Sequence, residues 1–166
     1  MRGWTFGVAL AALVVAGPLA AQERRPMTFM DVMDMRAVGS GTLSPDGARV
    51  AYTVSVPHWK SGKAFTDLFV ADAATGQVRQ LTFTREKNEG SPQWARDGRR
   101  LAFLSDREGS QQLYLMAVDG GEARRLTDAK DGVQAYAFSK DGRWIVFSAG
   151  KAEDRRPVGT RQGTHA

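Results

Sequence analysis

Beyond residue 38 the chain reads as short apolar stretches separated by turn-forming clusters. Val50-Ala51-Tyr52, Leu101-Ala102-Phe103 and Ile145-Val146-Phe147 are rich in branched and aromatic residues, and each follows an Asp-Gly pair. Short runs of this kind, bounded by Gly and Asp, predict strands rather than helices. The periodicity that a leucine-rich or helical repeat would impose is absent.

The stretches repeat. Leu43 to Tyr52, Trp94 to Phe103 and Phe138 to Phe147 align without gaps. Each has a bulky apolar residue, then a turn ending in Asp-Gly, then an apolar run closed by an aromatic. In the first copy Ser44, Pro45, Asp46 and Gly47 fill four turn positions. Proline fixes φ as position i+1 of a type I turn requires, serine suits position i, and glycine suits i+3. Asp97 and Gly98, then Asp141 and Gly142, keep the pair in the later copies without the proline. A residue recurring at a turn reads as structural, so these eight positions are expected to shape hairpins and not to do chemistry.

Downstream the first two copies stay in step. Asp67 to Asp72 matches Gln112 to Ala117, and Val78 to Thr82 matches Ala123 to Thr127. Leu68 to Leu113 and Leu81 to Leu126 are both 45 residues. Four strands in about 45 residues is the unit of a β-propeller blade. The predicted fold is therefore all-β, a partial propeller of about two and a half four-stranded blades. Residues 39–83 form blade one, 84–128 blade two and 129–150 the first half of blade three. Between its second and third strands blade one carries six extra residues, within Val56 to Ala64. This segment is expected to be a long loop, with Trp59 and His58 either forming a contact surface or tucked against a neighbour.

The first residues follow another pattern. Arg2 precedes the apolar run Val8 to Ala16, Gly17-Pro18 interrupts it, and Ala20-Ala21 offers small residues for cleavage. That is the three-part pattern of a secretory leader over residues 1–21, and the run is too short to span a membrane. The leader would engage the secretion machinery, so the expected location is secreted or periplasmic. Residues 22–38 form a lead-in. Within it Thr28 is placed to cap a short helix with Asp31 as its acidic partner. Met30, Met33 and Ala37 would share the face of a helix packed on the propeller edge or docking a second domain.

Composition narrows the chemistry. The 166 residues contain no cysteine and only 2 histidines, His58 and His165. A disulfide scaffold, a thiolate metal site and a cysteine nucleophile are excluded. No serine sits in Gly-x-Ser-x-Gly, so there is no nucleophile elbow, and neither histidine is placed as a triad base. Phosphate-loop and zinc-peptidase motifs are absent, and Lys130 spoils Asp128 to Gly132 as a calcium loop. No catalytic, cofactor-binding or metal-ligating residue is expected, and no cofactor. The net charge of +5 is ordinary for a soluble domain. Arg99-Arg100, Arg124-Arg125 and Arg155-Arg156 are separate pairs and not a stripe among aromatics, so nucleic acid is not an expected partner. Their expected role is on solvent faces or in salt bridges between blades.

Two phrases carry a family resemblance. Ser44-Pro45-Asp46-Gly47 with Val50-Ala51-Tyr52, and Phe103-Leu104-Ser105-Asp106-Arg107 with Gln112-Leu113-Tyr114, resemble the repeats of TolB-type and prolyl oligopeptidase propellers. The short capped lead-in followed by Tyr52-Thr53-Val54-Ser55 is similar to the start of a secreted acylaminoacyl-peptidase-like member. The resemblance covers roughly Met27 to Gly150. It implies a propeller of seven or eight blades followed by an α/β-hydrolase domain with a serine triad, the propeller restricting access to peptides. No triad residue carries over onto this chain.

The third and fourth strands of blade three are missing, and residues 151–166 read as a polar tail. The expectation is therefore a fragment or frame-shifted product of a longer gene. In the first functional reading it is the non-catalytic propeller part of a secreted serine peptidase, meeting peptide substrate only through a catalytic domain absent from the chain. The alternatives are a TolB-like periplasmic module binding a protein partner on its propeller face, or a short protein assembling blades from several copies.

Overall fold

A computed structural model describes residues 25–150; the expected leader over residues 1–21 and the expected polar tail lie outside them. The helix α1 (Phe29–Met33) is one short turn and a half. Thr28 caps it: its hydroxyl accepts from the Asp31 amide, and the Asp31 carboxylate accepts the Thr28 amide at 2.7 Å. None of its residues is buried, and Ala37 already belongs to the first strand. The expected face of Met30, Met33 and Ala37 therefore does not form, and the helix is not packed on the sheet edge. A helix this short has too few turns to bury a stripe.

Three antiparallel sheets follow. The first is ordered β1 (Ala37–Leu43), β2 (Arg49–His58), β3 (Lys63–Asp72), β4 (Val78–Gln80). The second repeats it with β5 (Glu89–Trp94), β6 (Arg100–Ser105), β7 (Gln112–Ala117), β8 (Arg124–Arg125). The third has only β9 (Val133–Phe138) and β10 (Ile145–Ala149). The chain is thus all-β and a partial propeller, and its sheets do not close into a ring.

The core lies between the sheets. Ala51, Leu68 and Val70 of the first sheet pack against Leu101, Phe103, Tyr114 and Met116 of the second. Ala102, Leu104 and Leu113 then pack against Val133 and Tyr136 of the third. The alternation of side chains along β6 sends Leu101 and Phe103 one way and Ala102 and Leu104 the other, so one strand serves both cores. The Tyr136 hydroxyl donates to the Ser91 carbonyl at 2.5 Å or to the Ala102 carbonyl at 2.7 Å, tying the third sheet to the second.

The six extra residues of the first repeat do not form a loop. They lengthen the hairpin: β2 and β3 pair without interruption from Arg49↔Asp72 to His58↔Lys63. Val56, Phe65 and Tyr52 suit a pleated ladder better than coil, and Gly62 with φ 63° closes the turn.

Candidate functional site

The three Asp-Gly turns lie side by side at one end of the sheets. In the first, Gly47 N–H donates to the Ser44 carbonyl at 2.9 Å, closing the predicted four-residue turn. The Ser44 hydroxyl donates to Asp46 at 2.5 Å and accepts from the Arg49 amide at 2.9 Å. Asp46 also accepts from the Ala48 amide at 3.0 Å. Asp141 and Ser139 repeat this arrangement around Gly142. The second turn solves the same problem differently. Ala95 has no hydroxyl, so Asp97 accepts from both the Arg99 and Arg100 amides, at 2.9 and 3.1 Å. These hydrogen bonds favour the ionised form and hold the carboxyls of Asp46, Asp97 and Asp141 below their usual range. Pro45 packs near Gly98, and Gly142 sits against the Arg96 side chain. The eight turn residues are thus gathered at one end, where Asp97, Asp141 and Gly142 line a shared open cavity of about 480 Å³ with Arg96 and Arg100.

The other end carries more chemistry. Glu89 opens β5 and is fully buried. Arg107 reaches it at 3.1 Å, the Ser105 hydroxyl donates to it at 3.0 Å, and the Thr84 hydroxyl at 2.7 Å. The Arg107 guanidinium lies over the Tyr114 and Phe103 rings, 4.7 and 5.3 Å from their centroids. Burial and the charge of Glu89 push the Asp67 carboxyl up, against the hydroxyl of Thr82 that donates to it. Burial and the Glu108 carboxylate push the Tyr114 phenol up. Beside this cluster a cavity of about 460 Å³ is lined by Thr82, Phe83, Thr84, Arg107 and Glu122 among others.

None of this amounts to a catalytic constellation. His58 Nδ1 and Ser61 Oγ are 2.8 Å apart, but Ser61 also donates to the His58 carbonyl, and the contact closes the exposed hairpin turn. No carboxylate among the described residues holds the imidazole. Among the described residues no three His, Asp or Glu side chains cluster as a metal site. Trp59 stands 66% exposed at the hairpin tip with Lys60 over its ring, so it is not tucked against a neighbour.

Arginines do bridge the sheets, though not those of the two pairs within the described residues, Arg99-Arg100 and Arg124-Arg125; Arg155-Arg156 lies outside them. Arg49 donates to Asp119 at 3.0 Å and to the Gly98 carbonyl at 2.6 Å, and Arg79 donates to the Val118 carbonyl. Arg96 donates to the Lys140 carbonyl at 2.8 Å. Of the paired arginines, Arg100 bonds Asp97, and Arg125 bonds Glu108 and Asp128, all within the second repeat. Neither the bridging arginines nor Glu89 was singled out by the sequence pattern. The Ser105-Asp106-Arg107 phrase was the available signal, because an arginine directly after a strand, half-buried in the fold, needs an acidic partner.

The repeated sheets, their shared turn chemistry and their stacking agree with a comparison across known families. Residues 14–163 match the model of the TolB β-propeller domain. The chain belongs to that family. Within it, the chain is 35% identical over 136 residues to dipeptidyl-peptidase 5 of Porphyromonas endodontalis, covering 79% of this chain and 20% of that protein. It is 36% identical over 131 residues to the uncharacterized peptidase YuxL of Bacillus subtilis, covering 78% and 20%. Among solved structures, TolB from Acinetobacter baumannii superposes with a TM-score of 0.54 at 25% identity, over 69% of this chain and 27% of that one. The Pyrococcus horikoshii acylaminoacyl peptidase superposes at 0.60 and 16%, over 76% and 19%, a likeness of fold. The chain spans about a fifth of the length of the peptidases it matches. This TolB-type propeller is therefore similar both to the propellers of peptidases and to TolB.

Proposed function

We propose that the chain is the non-catalytic N-terminal propeller part of an exported serine peptidase of the prolyl oligopeptidase family. The observation that carries this reading is the 35% identity to a dipeptidyl-peptidase across 79% of the chain. In such a protein the stacked sheets would shape the entrance to a hydrolase domain and admit peptides rather than folded proteins. The peptide bond would be broken by that other domain. The residues of this chain hold the entrance rigid through the sheet-to-sheet arginines and the ion pair of buried Glu89 with Arg107. Export is supported by the three-part pattern of residues 1–21.

A second reading rests on the TolB side of the family. The chain is 37% identical over 105 residues to a protein TolB homolog of Chlorobium chlorochromatii. In that reading the propeller face binds a protein partner in the periplasm.

One experiment separates them. An antibody raised against residues 88–109 is used on cell fractions of the source organism, and the captured protein is treated with a fluorophosphonate serine probe. The peptidase reading expects an exported band several times larger than 18.1 kDa that takes the label. A large unlabelled band favours the TolB-like reading, and a band no larger than the chain itself overturns the peptidase reading.

A further inference from the structure

The tip of the long hairpin contributes nothing to the core, yet its chemistry is specific. β2 and β3 run on to the His58↔Lys63 pair, whereas β6 and β7 stop at Ser105↔Gln112. On this extension Trp59 is 66% exposed, with the Lys60 ammonium 5.5 Å from its ring centre, and Lys63 is exposed close by. No acidic residue occurs from Ser55 to Thr66. Among the described residues neither lysine has an ion-pair partner. The Lys60 contact keeps the cation beside the indole, so the two present a single basic, aromatic knob.

The same molecule carries the complement of that knob. An open cavity of about 460 Å³ is lined by the apolar Leu81, Phe83 and Met116 and by Arg107, Glu108 and Glu122. Its net charge is negative. Arg107 is neutralised by Glu89 at 3.1 Å, Glu108 pairs with Arg125 at 3.0 Å, and Glu122 has no cationic partner among the described residues. Phe83 is 75% exposed there, an apolar ring left to water. Sites that take a drug-sized group run from about 300 to about 1,000 Å³, so one indole with one ammonium fits this volume.

We propose that the hairpin tip of one copy docks in this cavity of a second copy of the chain. Trp59 lies on Phe83, and the Lys60 ammonium meets Glu122. Charge complementarity selects this occupant, because a basic tip faces an acidic cavity and every copy carries both. Two tips would repel each other, and so would two cavities, which leaves tip-to-cavity as the favoured contact. An exposed tryptophan is also the residue type that most often anchors an interface. Tip and cavity belong to the first two sheets, so the inference does not depend on the peptidase reading.

The test is sedimentation velocity on the full chain over a concentration series. The parent should self-associate, and added salt should weaken the association. Trp59→Ala should weaken it about thirtyfold, the factor an interface hot spot carries. Lys60→Glu and Glu122→Lys should each weaken it about tenfold, since each sets like charges against one another. Mixing the Lys60→Glu and Glu122→Lys variants should restore association, because the reversed tip of one then meets the reversed cavity of the other. All three positions are exposed, and circular dichroism checks that the variants fold. A parent that stays monomeric, association that survives Trp59→Ala, or a mixture no more associated than its components would overturn the proposal.

Discussion

Two aromatic pairs occupy the same place in successive sheets. Phe103 and Tyr114 stack at 5.8 Å with 23° between planes, and Tyr52 and Phe69 at 5.8 Å with 25°. The first pair is sealed, 0% and 1% exposed, because the first sheet lies on it. The second pair is half-buried, because no described sheet lies on its side. Identical chemistry thus contributes differently according to its neighbour. A propeller sheet cannot bury both of its faces by itself, and its stability comes from the stack.

The comparison can be broken most directly at the rings. Phe103→Ala should cost about 3–5 kcal/mol of unfolding free energy in urea titrations. Tyr52→Ala should cost about 1–2 kcal/mol, since less surface is released. Equal costs would mean that the sheets are stable singly. Next comes the Glu89–Arg107 ion pair, with its carboxylate buried, which among the described residues only the second sheet has. Glu89→Ala leaves Arg107 without its anion and should cost about 3 kcal/mol. At the position repeat-equivalent to Glu89 the first sheet has Val38, which is exposed, and Val38→Ala should change stability by less than about 0.5 kcal/mol.

The turns give a finer contrast. Asp97→Ala deprives two amides of their acceptor and should cost about 1–2 kcal/mol, whereas Asp46→Ala leaves the Arg49 amide on Ser44 and should cost less. Ala95→Ser should recover part of the Asp97→Ala loss, and no recovery would show that the hydroxyl is not the substitute.

A pH series sharpens the difference between Asp67 and its counterpart Gln112. Each accepts a threonine hydroxyl, from Thr82 and Thr127 respectively. The raised Asp67 carboxyl lends stability that is complete below the ordinary carboxylate pKa and is lost as pH rises through its raised value. The lowered carboxyls of Asp46, Asp72 and Asp141 do the opposite: their contribution is lost as pH falls through their lowered values. Asp67→Asn should therefore gain stability relative to the parent as pH rises from about 4 to about 6. A constant difference across that range would contradict the assignment. Smallest of all, Trp59→Ala at the hairpin tip should shift stability by less than about 0.5 kcal/mol.

These residues also mark what can be read without coordinates. The Asp-Gly turns are local, since a turn depends on four neighbouring residues, and they locate the β1–β2, β5–β6 and β9–β10 hairpins. Arg49 and Asp119 are 70 positions apart, and nothing in the spacing couples them. Glu89 sits in Asn88-Glu89-Gly90, a polar stretch with no apolar alternation. Its burial follows from Thr84, Ser105 and Arg107 converging from three segments. The long hairpin was misread because Pro57 and Gly62 suggest a loop, whereas Pro57 pairs with Ala64 at the end of an exposed ladder.

That hairpin has a further consequence for engineering. β2 and β3 are 10 residues each, where β6 and β7 are 6. The lengthening is even in both strands, so every side chain below the tip keeps its face. Rungs can therefore be added or removed in twos without disturbing the stack beneath. The Trp59–Gly62 tip is a natural splice site for an epitope tag or a grafted binding loop.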